Sequence, residues 1–406
     1  MYKIGLIIFI SCILCFSLPV FADEPVNQDA PAQPVISTLR QDNVKGPEVS
    51  SDYEGHALAN AAVNRNINLF SERIKERFSI WLSRSGKYLD LMKVILREKD
   101  VPEEIVFLPL IESGFSSHAY SPARAVGYWQ FISSTAKRYG LEIDWWKDER
   151  RDPVKSTTAA ASYLRDLYDM FGSWNLAMAA YNAGEGKILR ALNKTNSDDY
   201  WSLLSTKYIR RETKDYVPKF IAASMIASNP EDFGFSNLEY YPPLDYDEVA
   251  LNAPVDLDIA AGCAETTVEV IRELNPELRR WCTPPDVSEY ILRIPSGKKD
   301  VFLENLALLP KDKRFSIEIY KVKKGETYKS IAKKTGMPLQ VILDLNSIDK
   351  LMPLKDGMQI YLPPKDKLVL DRDDRAKIRK VSLKSKKKTL SGRKTAARKS
   401  RKTGKV

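Results

Sequence analysis

Histidine is almost missing. His56 and His118 are the only two in 406 residues, which makes a His-rich metal site or a Ser/His/Asp triad hard to build. Cysteine is scarce too: Cys12 and Cys15 lie in the first two dozen residues, and the other two, Cys263 and Cys282, have no CxxC spacing for metal or redox work. Beyond those first two dozen residues no apolar run approaches the length of about 20 needed to cross a bilayer, so a multi-span membrane protein is excluded. Any catalysis falls to carboxylates, hydroxyls or amides, and no metal or other cofactor is expected.

What is present is ample apolar material, 44% of the chain, enough for two or more packed domains. The net charge of +10 is carried by the end of the chain. Residues 365–406 hold eighteen Lys/Arg against four Asp/Glu, a balance of +14, which leaves −4 for everything before them. A nucleic-acid-binding domain places its cations on a folded face; here they fall in a stretch that reads as a disordered basic tail suited to an anionic membrane or wall polymer, with no nucleic acid expected.

Lys3 followed by apolar residues 4–21, with Val20 and Ala22 at the small positions of a cleavage site, reads as a signal peptide over 1–22. Export to the periplasm or cell envelope follows, possible membrane association included, and an uncleaved anchor is the rival reading. Residues 23–57, rich in Pro, Asp, Asn, Gln and Ser, read as a disordered linker. From about Leu58 the texture is helical. Ile67, Phe70, Ile74, Phe78, Trp81 and Leu82 recur at spacings of three and four as in one amphipathic helix, and similar patterns follow at 88–96, 157–171, 176–182 and 216–227. An α-helical domain over 58–232 is predicted.

Past the Tyr240-Tyr241-Pro242-Pro243 linker lies a weak repeat. Leu257, Ile259 and Gly262 align with Tyr320, Val322 and Gly325. The run from Val270 to Asn275 aligns with that from Val341 to Asn346, and Leu292-Arg293-Ile294-Pro295 with Ile360-Tyr361-Leu362-Pro363. Two small modules are predicted, a degenerate one over 249–312 and a clearer one over 313–364. The first is shorter between its Gly and Asn, as though a helix were missing. A Cys263–Cys282 disulfide is expected to staple it, since a small module short of core needs one in an oxidising compartment.

If residues 102–115 are helical, Ile105, Leu108 and Glu112 share one face, with Pro109 a source of a kink. A carboxyl on an apolar face is disfavoured in its charged form and serves as a general acid near neutral pH; the same pattern also suits a boundary ion pair. The 148–152 acidic and basic cluster reads as helix capping and salt bridging, and Trp145 and Trp146 as packing.

Glu112-Ser113, Gly127-Tyr128-Trp129-Gln130-Phe131 and Ala180-Tyr181-Asn182-Ala183-Gly184, in that order, resemble the soluble lytic transglycosylases of lysozyme-like fold. The fuller stretches, Leu108-Pro109-Leu110-Ile111-Glu112-Ser113-Gly114-Phe115, Asp148-Glu149-Arg150-Arg151-Asp152-Pro153 and Glu212-Thr213-Lys214-Asp215-Tyr216-Val217-Pro218-Lys219, resemble the membrane-bound lytic murein transglycosylase D family. Tyr320-Lys321-Val322-Lys323-Lys324-Gly325-Glu326-Thr327 resembles the opening of a LysM module. The implied fold class is α+β multidomain, an all-α lysozyme-like catalytic domain followed by small βααβ LysM-like modules.

The resemblance implies that peptidoglycan glycan strands are the partner and that the bond from N-acetylmuramic acid to N-acetylglucosamine is cleaved without water, leaving a 1,6-anhydro ring. Glu112 is then the catalytic acid and base. Ser113 and Tyr181 are implied to bond the intermediate, Gln130 and Asn182 the acetamido groups, and Trp129 to lend a face to a sugar ring. Glu212 and Tyr216, at i and i+4, would line the cleft from one helix face. Gly325, Glu326 and Thr327 are the implied LysM glycan contacts. A water-using muramidase and a non-catalytic wall-binding scaffold remain the alternatives.

Overall fold

The computed structural model describes residues 57–348 and 351–367. The expected signal peptide, all but the last residue of the linker at 23–57, and residues 368–406 of the basic tail lie outside the described residues. No helix among the described residues is long and apolar enough to cross a membrane.

Among the described residues nine α-helices precede the first strand: α1 (Ala57–Asn68), α2 (Lys75–Ser85), α3 (Leu89–Glu98), α4 (Leu108–Ser113), α5 (Ser133–Arg138), α6 (Pro153–Phe171), α7 (Trp174–Ala183), α8 (Glu185–Thr195) and α9 (Arg211–Ser228). The apolar period across 67–82 is continuous, yet the helix is not. A single π-helical turn, Leu69–Arg73, separates α1 from α2 and keeps Phe70 and Phe78 stacked at 4.4 Å between ring centroids. Small residues dominate where the central helices meet. Ala159, Ala160 and Ala161 on α6, Ala177, Ala179 and Ala180 on α7, and Ala222 and Ala223 on α9 are all buried, so the backbones pack closely around α7.

The stretch 102–115 is not one helix. A 3₁₀ turn, Glu103–Phe107, precedes α4, and Pro109 sits in the first turn of α4, where its missing N–H costs no helical bond. Leu108 and Glu112 therefore keep their i, i+4 relation, while Ile105 belongs to the turn before.

Two modules follow, each a two-stranded antiparallel sheet enclosing two short helices. The first is β1 (Tyr246–Leu251), α10 (Leu257–Cys263), α11 (Val268–Leu274) and β2 (Tyr290–Pro295), closed by α12 (Lys299–Leu308); the second is β3 (Glu318–Lys321), α13 (Tyr328–Thr335), α14 (Leu339–Leu345) and β4 (Gln359–Leu362). The repeat is correct in its second half and wrong in its first. Leu257 and Ile259 open helix α10, and the strand equivalent to β3 begins earlier, at Tyr246. No helix is missing. The equivalence of Asn275 and Asn346 holds to the atom: each amide Nδ2 donates to the carbonyl four residues back and to the last strand, and each Oδ1 accepts that strand's N–H, from Arg293 at 2.9 Å and from Tyr361 at 2.8 Å.

The expected staple is not formed either. Cys263 and Cys282 are separate buried thiols in different apolar clusters. The first module completes its core without a staple, by Phe302 and Leu306 of α12. It is also fastened to the helical domain: Arg293 donates to Asp152 at 2.8 Å, both residues being buried, and the Asp148 and Arg279 N–H groups donate to Glu277 and Trp146 carbonyls at 2.9 Å. Trp146, Trp281, Cys282, Val341 and Leu345 form one apolar cluster drawn from the helical domain and both modules.

Candidate active site

Glu112 lies near the end of α4, and two glycines set its surroundings. Gly114 caps the helix at φ +60°, and a Cβ there would stand 2.3 Å from the Trp81 ring. Gly127, at φ +82°, passes so close to the Arg150 carbonyl that a Cβ would stand 1.8 Å from its oxygen. Arg150 is itself buried, clamped by Asp148 at 2.7 and 2.9 Å, and donates to the Phe131 and Arg124 carbonyls at 3.1 Å. This fixes the 127–131 loop against the Glu149–Arg151 turn. The 148–152 cluster is thus the capping and salt-bridge feature expected of it, with Asp152 also accepting from the Lys155 N–H at the start of α6, at 2.7 Å.

The Glu112 side chain is half-buried among protein on most sides, and the Tyr216 hydroxyl of α9 donates to its Oε1. Burial pushes the carboxyl up to about 7; the Tyr216 bond and the positive charge of Lys219 act downward, and the negative charge of Glu212 acts upward. The group is thus poised between acid and base forms near neutral pH. Burial and the neighbouring Glu112 charge also hold the Tyr216 and Tyr181 phenols above their ordinary range, so both stay protonated donors.

Ser113 Oγ donates to the Tyr128 carbonyl at 2.8 Å and accepts from the Ser116 N–H at 3.3 Å, tying α4 to the loop. Tyr181 donates to the Trp129 carbonyl at 2.7 Å. Gln130, itself at φ +50°, donates to the Gly127 carbonyl at 2.8 Å. Asn182 Oδ1 accepts from Thr213 at 3.1 Å, which joins α7 to α9. Glu212 is exposed one turn before Tyr216. Tyr216 contacts Glu112, and the Glu112 charge is coupled to those of Glu212 and the Tyr181 phenol, with Ser113 next in the chain, whereas Gln130 and Asn182 are engaged with the Ala119 and Gly127 carbonyls and with Thr213.

Trp129 does not belong to that set. It is 0% exposed, with its indole N–H donating to Thr157 on α6 at 2.9 Å, so it offers no face to a sugar. Trp146 is equally buried, and Trp145 is covered by the Arg280 guanidinium 3.6 Å from its ring. In the second module Glu326 accepts from Tyr320 at 2.9 Å, Lys334 at 2.9 Å and the Lys323 N–H at 3.0 Å, and Thr327 caps α13 in a reciprocal box with Ser330. The side chains expected to meet glycan there are engaged in holding the module together. Lys219 and Asp215 received no role from the sequence, although they follow Glu212 by seven and three residues and so share its helix face.

The transglycosylase SLT domain model matches residues 92–204, the LysM-like domain model of lytic transglycosylase MltD matches 245–311, and the LysM domain model matches 320–363. The membrane-bound lytic murein transglycosylase D of Escherichia coli (strain K12) is 33% identical over 297 residues, 69% of this chain and 64% of that protein. The membrane-bound lytic murein transglycosylase C of Actinobacillus succinogenes is 26% identical over 216 residues, 46% of this chain and 60% of that one. The chain therefore spans less than two thirds of the length of these curated relatives. Among solved structures, the 70 kDa soluble lytic transglycosylase of Escherichia coli is 23% identical with a TM-score of 0.32, over 46% of this chain and 32% of that chain.

Proposed function

This chain carries a transglycosylase SLT domain followed by a LysM-like and a LysM module, and from that premise we propose that it is a peptidoglycan lytic transglycosylase whose acid and base are the same group, Glu112. The observation that carries the reading is the Glu112 carboxyl, pushed up to about 7 by burial and held by the Tyr216 hydroxyl. Protonated, Glu112 donates to the oxygen bridging N-acetylmuramic acid and N-acetylglucosamine, and the C1–O bond breaks. The muramoyl acetamido oxygen closes on C1 and holds the positive charge. The Glu112 carboxylate then takes the proton of the C6 hydroxyl as the C6 oxygen attacks C1 and displaces the acetamido oxygen, giving the 1,6-anhydro ring and restoring both the acetamide and the acid. One carboxyl serves both steps, a substrate-assisted route distinct from the two-carboxylate scheme.

Tyr216 fixes the direction of the Glu112 carboxyl, while Tyr181, Ser113 and Gln130 shape the loop that would receive the acetamido groups. The two modules serve as wall-binding units, and the leader-like first 22 residues suit work in the cell envelope. Mass spectrometry of the fragments released from purified peptidoglycan tests the chemistry: 1,6-anhydro ends are expected, and reducing ends would assign a muramidase instead. Glu112→Gln is expected to abolish release while retaining binding, and turnover by that variant would remove Glu112 from the mechanism.

A further inference from the structure

Between α1 and α9 lies a cavity of about 270 Å³ lined by Arg65, Arg211, Glu212 and Asp215. Its position is set by α9: Glu212 stands four residues, about 6 Å of helix rise, before the Tyr216 that holds Glu112. Asp215 is already satisfied, accepting from Arg65 at 2.7 Å and Asn66 at 3.0 Å with Lys219 at 3.8 Å. Arg211 is exposed and has no ion-pair partner among the described residues. Of the four lining residues, Arg65 and Asp215 pair with each other, while Arg211 and Glu212 have no ion-pair partner among the described residues, and most of the N–H donors of the two guanidinium groups remain open.

We infer that this cavity receives a free carboxylate of the peptide carried on the lactyl group of the muramoyl residue, with Arg211 as the principal specificity-determining residue and Arg65 beside it. The inference rests on the function proposed above. A sugar hydroxyl needs no guanidinium pair, whereas a carboxylate accepts from two in a charge-assisted fork. Glu212 stands on the side of Glu112 and repels the same carboxylate, which keeps the peptide away from the reacting carboxyl. Both arginines lie outside residues 92–204, the part of the chain matched by the SLT domain model.

The test uses the full chain carrying Glu112→Gln, so that ligand is not consumed, and isothermal titration with two probes: a muropeptide oligomer and the same glycan stripped of peptide. Arg211→Gln is expected to lower the ratio of the two affinities about tenfold, the equivalent of one charge-assisted hydrogen bond, and Arg211→Lys to recover part of it. An unchanged ratio overturns the pocket. The cleavage assay on the otherwise natural chain decides the underlying function separately: binding of both probes with no 1,6-anhydro product removes the proposed chemistry and leaves the ratio to judge the pocket, and binding of neither probe overturns both.

Discussion

Glu112→Gln, besides abolishing turnover, is expected to make the chain more stable at alkaline pH. In the unfolded chain this carboxyl ionises at an ordinary value near 4.5, and in the fold at about 7. Between those values the folded state holds a proton that the unfolded state has lost, so raising the pH weakens the fold. The gap corresponds to about 3 kcal/mol of lost stability by pH 8, and to almost none below pH 4. Gln cannot ionise, so the variant lacks this slope. Guanidinium unfolding of both proteins at pH 4, 6 and 8 measures it: the stability difference should be near zero at pH 4 and grow in favour of Gln to about 2–3 kcal/mol at pH 8. A difference that stays flat from pH 4 to 8 would mean that Glu112 is freely solvated and ionised in the fold, and the argument for a poised acid would fall with it.

Tyr216→Phe removes the bond that favours the ionised carboxylate. The alkaline limb of the pH–rate profile should therefore move upward by about one pH unit, with a lower maximum rate; a limb that stays put or moves down contradicts the contact. Gly127→Ala forces a Cβ onto the Arg150 carbonyl at a positive φ. A loss of roughly 2–4 kcal/mol by chemical denaturation is expected, and a neutral outcome would show that the 127–131 loop is free to shift away from Arg150.

The helical block was legible because amphipathic period survives without knowledge of neighbours: 88–96, 157–171, 176–182 and 216–227 each fall on α3, α6, α7 and α9. The π turn at Leu69–Arg73 was not, since it leaves the apolar spacing intact while breaking the helix. Glu112 stood out through its apolar neighbours, and the spacing of Glu212 and Tyr216 placed them on one face. What no spacing encodes is that α9 returns to place Tyr216 on Glu112, 104 residues earlier. Trp129 was misassigned for a similar reason: an aromatic in a motif looks the same from sequence whether it faces a groove or Thr157. In the first module Leu257 and Ile259 alternate like a strand, which hid helix α10. Asn275 was readable because an apolar run ending in Asn repeats in both modules, and in each the amide bridges helix and strand. The Arg293–Asp152 bond, spanning 141 residues, leaves no local signal at all.

The shared Trp146–Trp281–Val341–Leu345 cluster has a mechanical consequence. With the helical domain and both modules joined through one apolar knot, a strand held by the modules, on the function proposed above, would be presented to Glu112 at a set offset, as by a calliper and not by a hook on a string. Loosening that knot should leave grip and cutting each intact while erasing the interval between them.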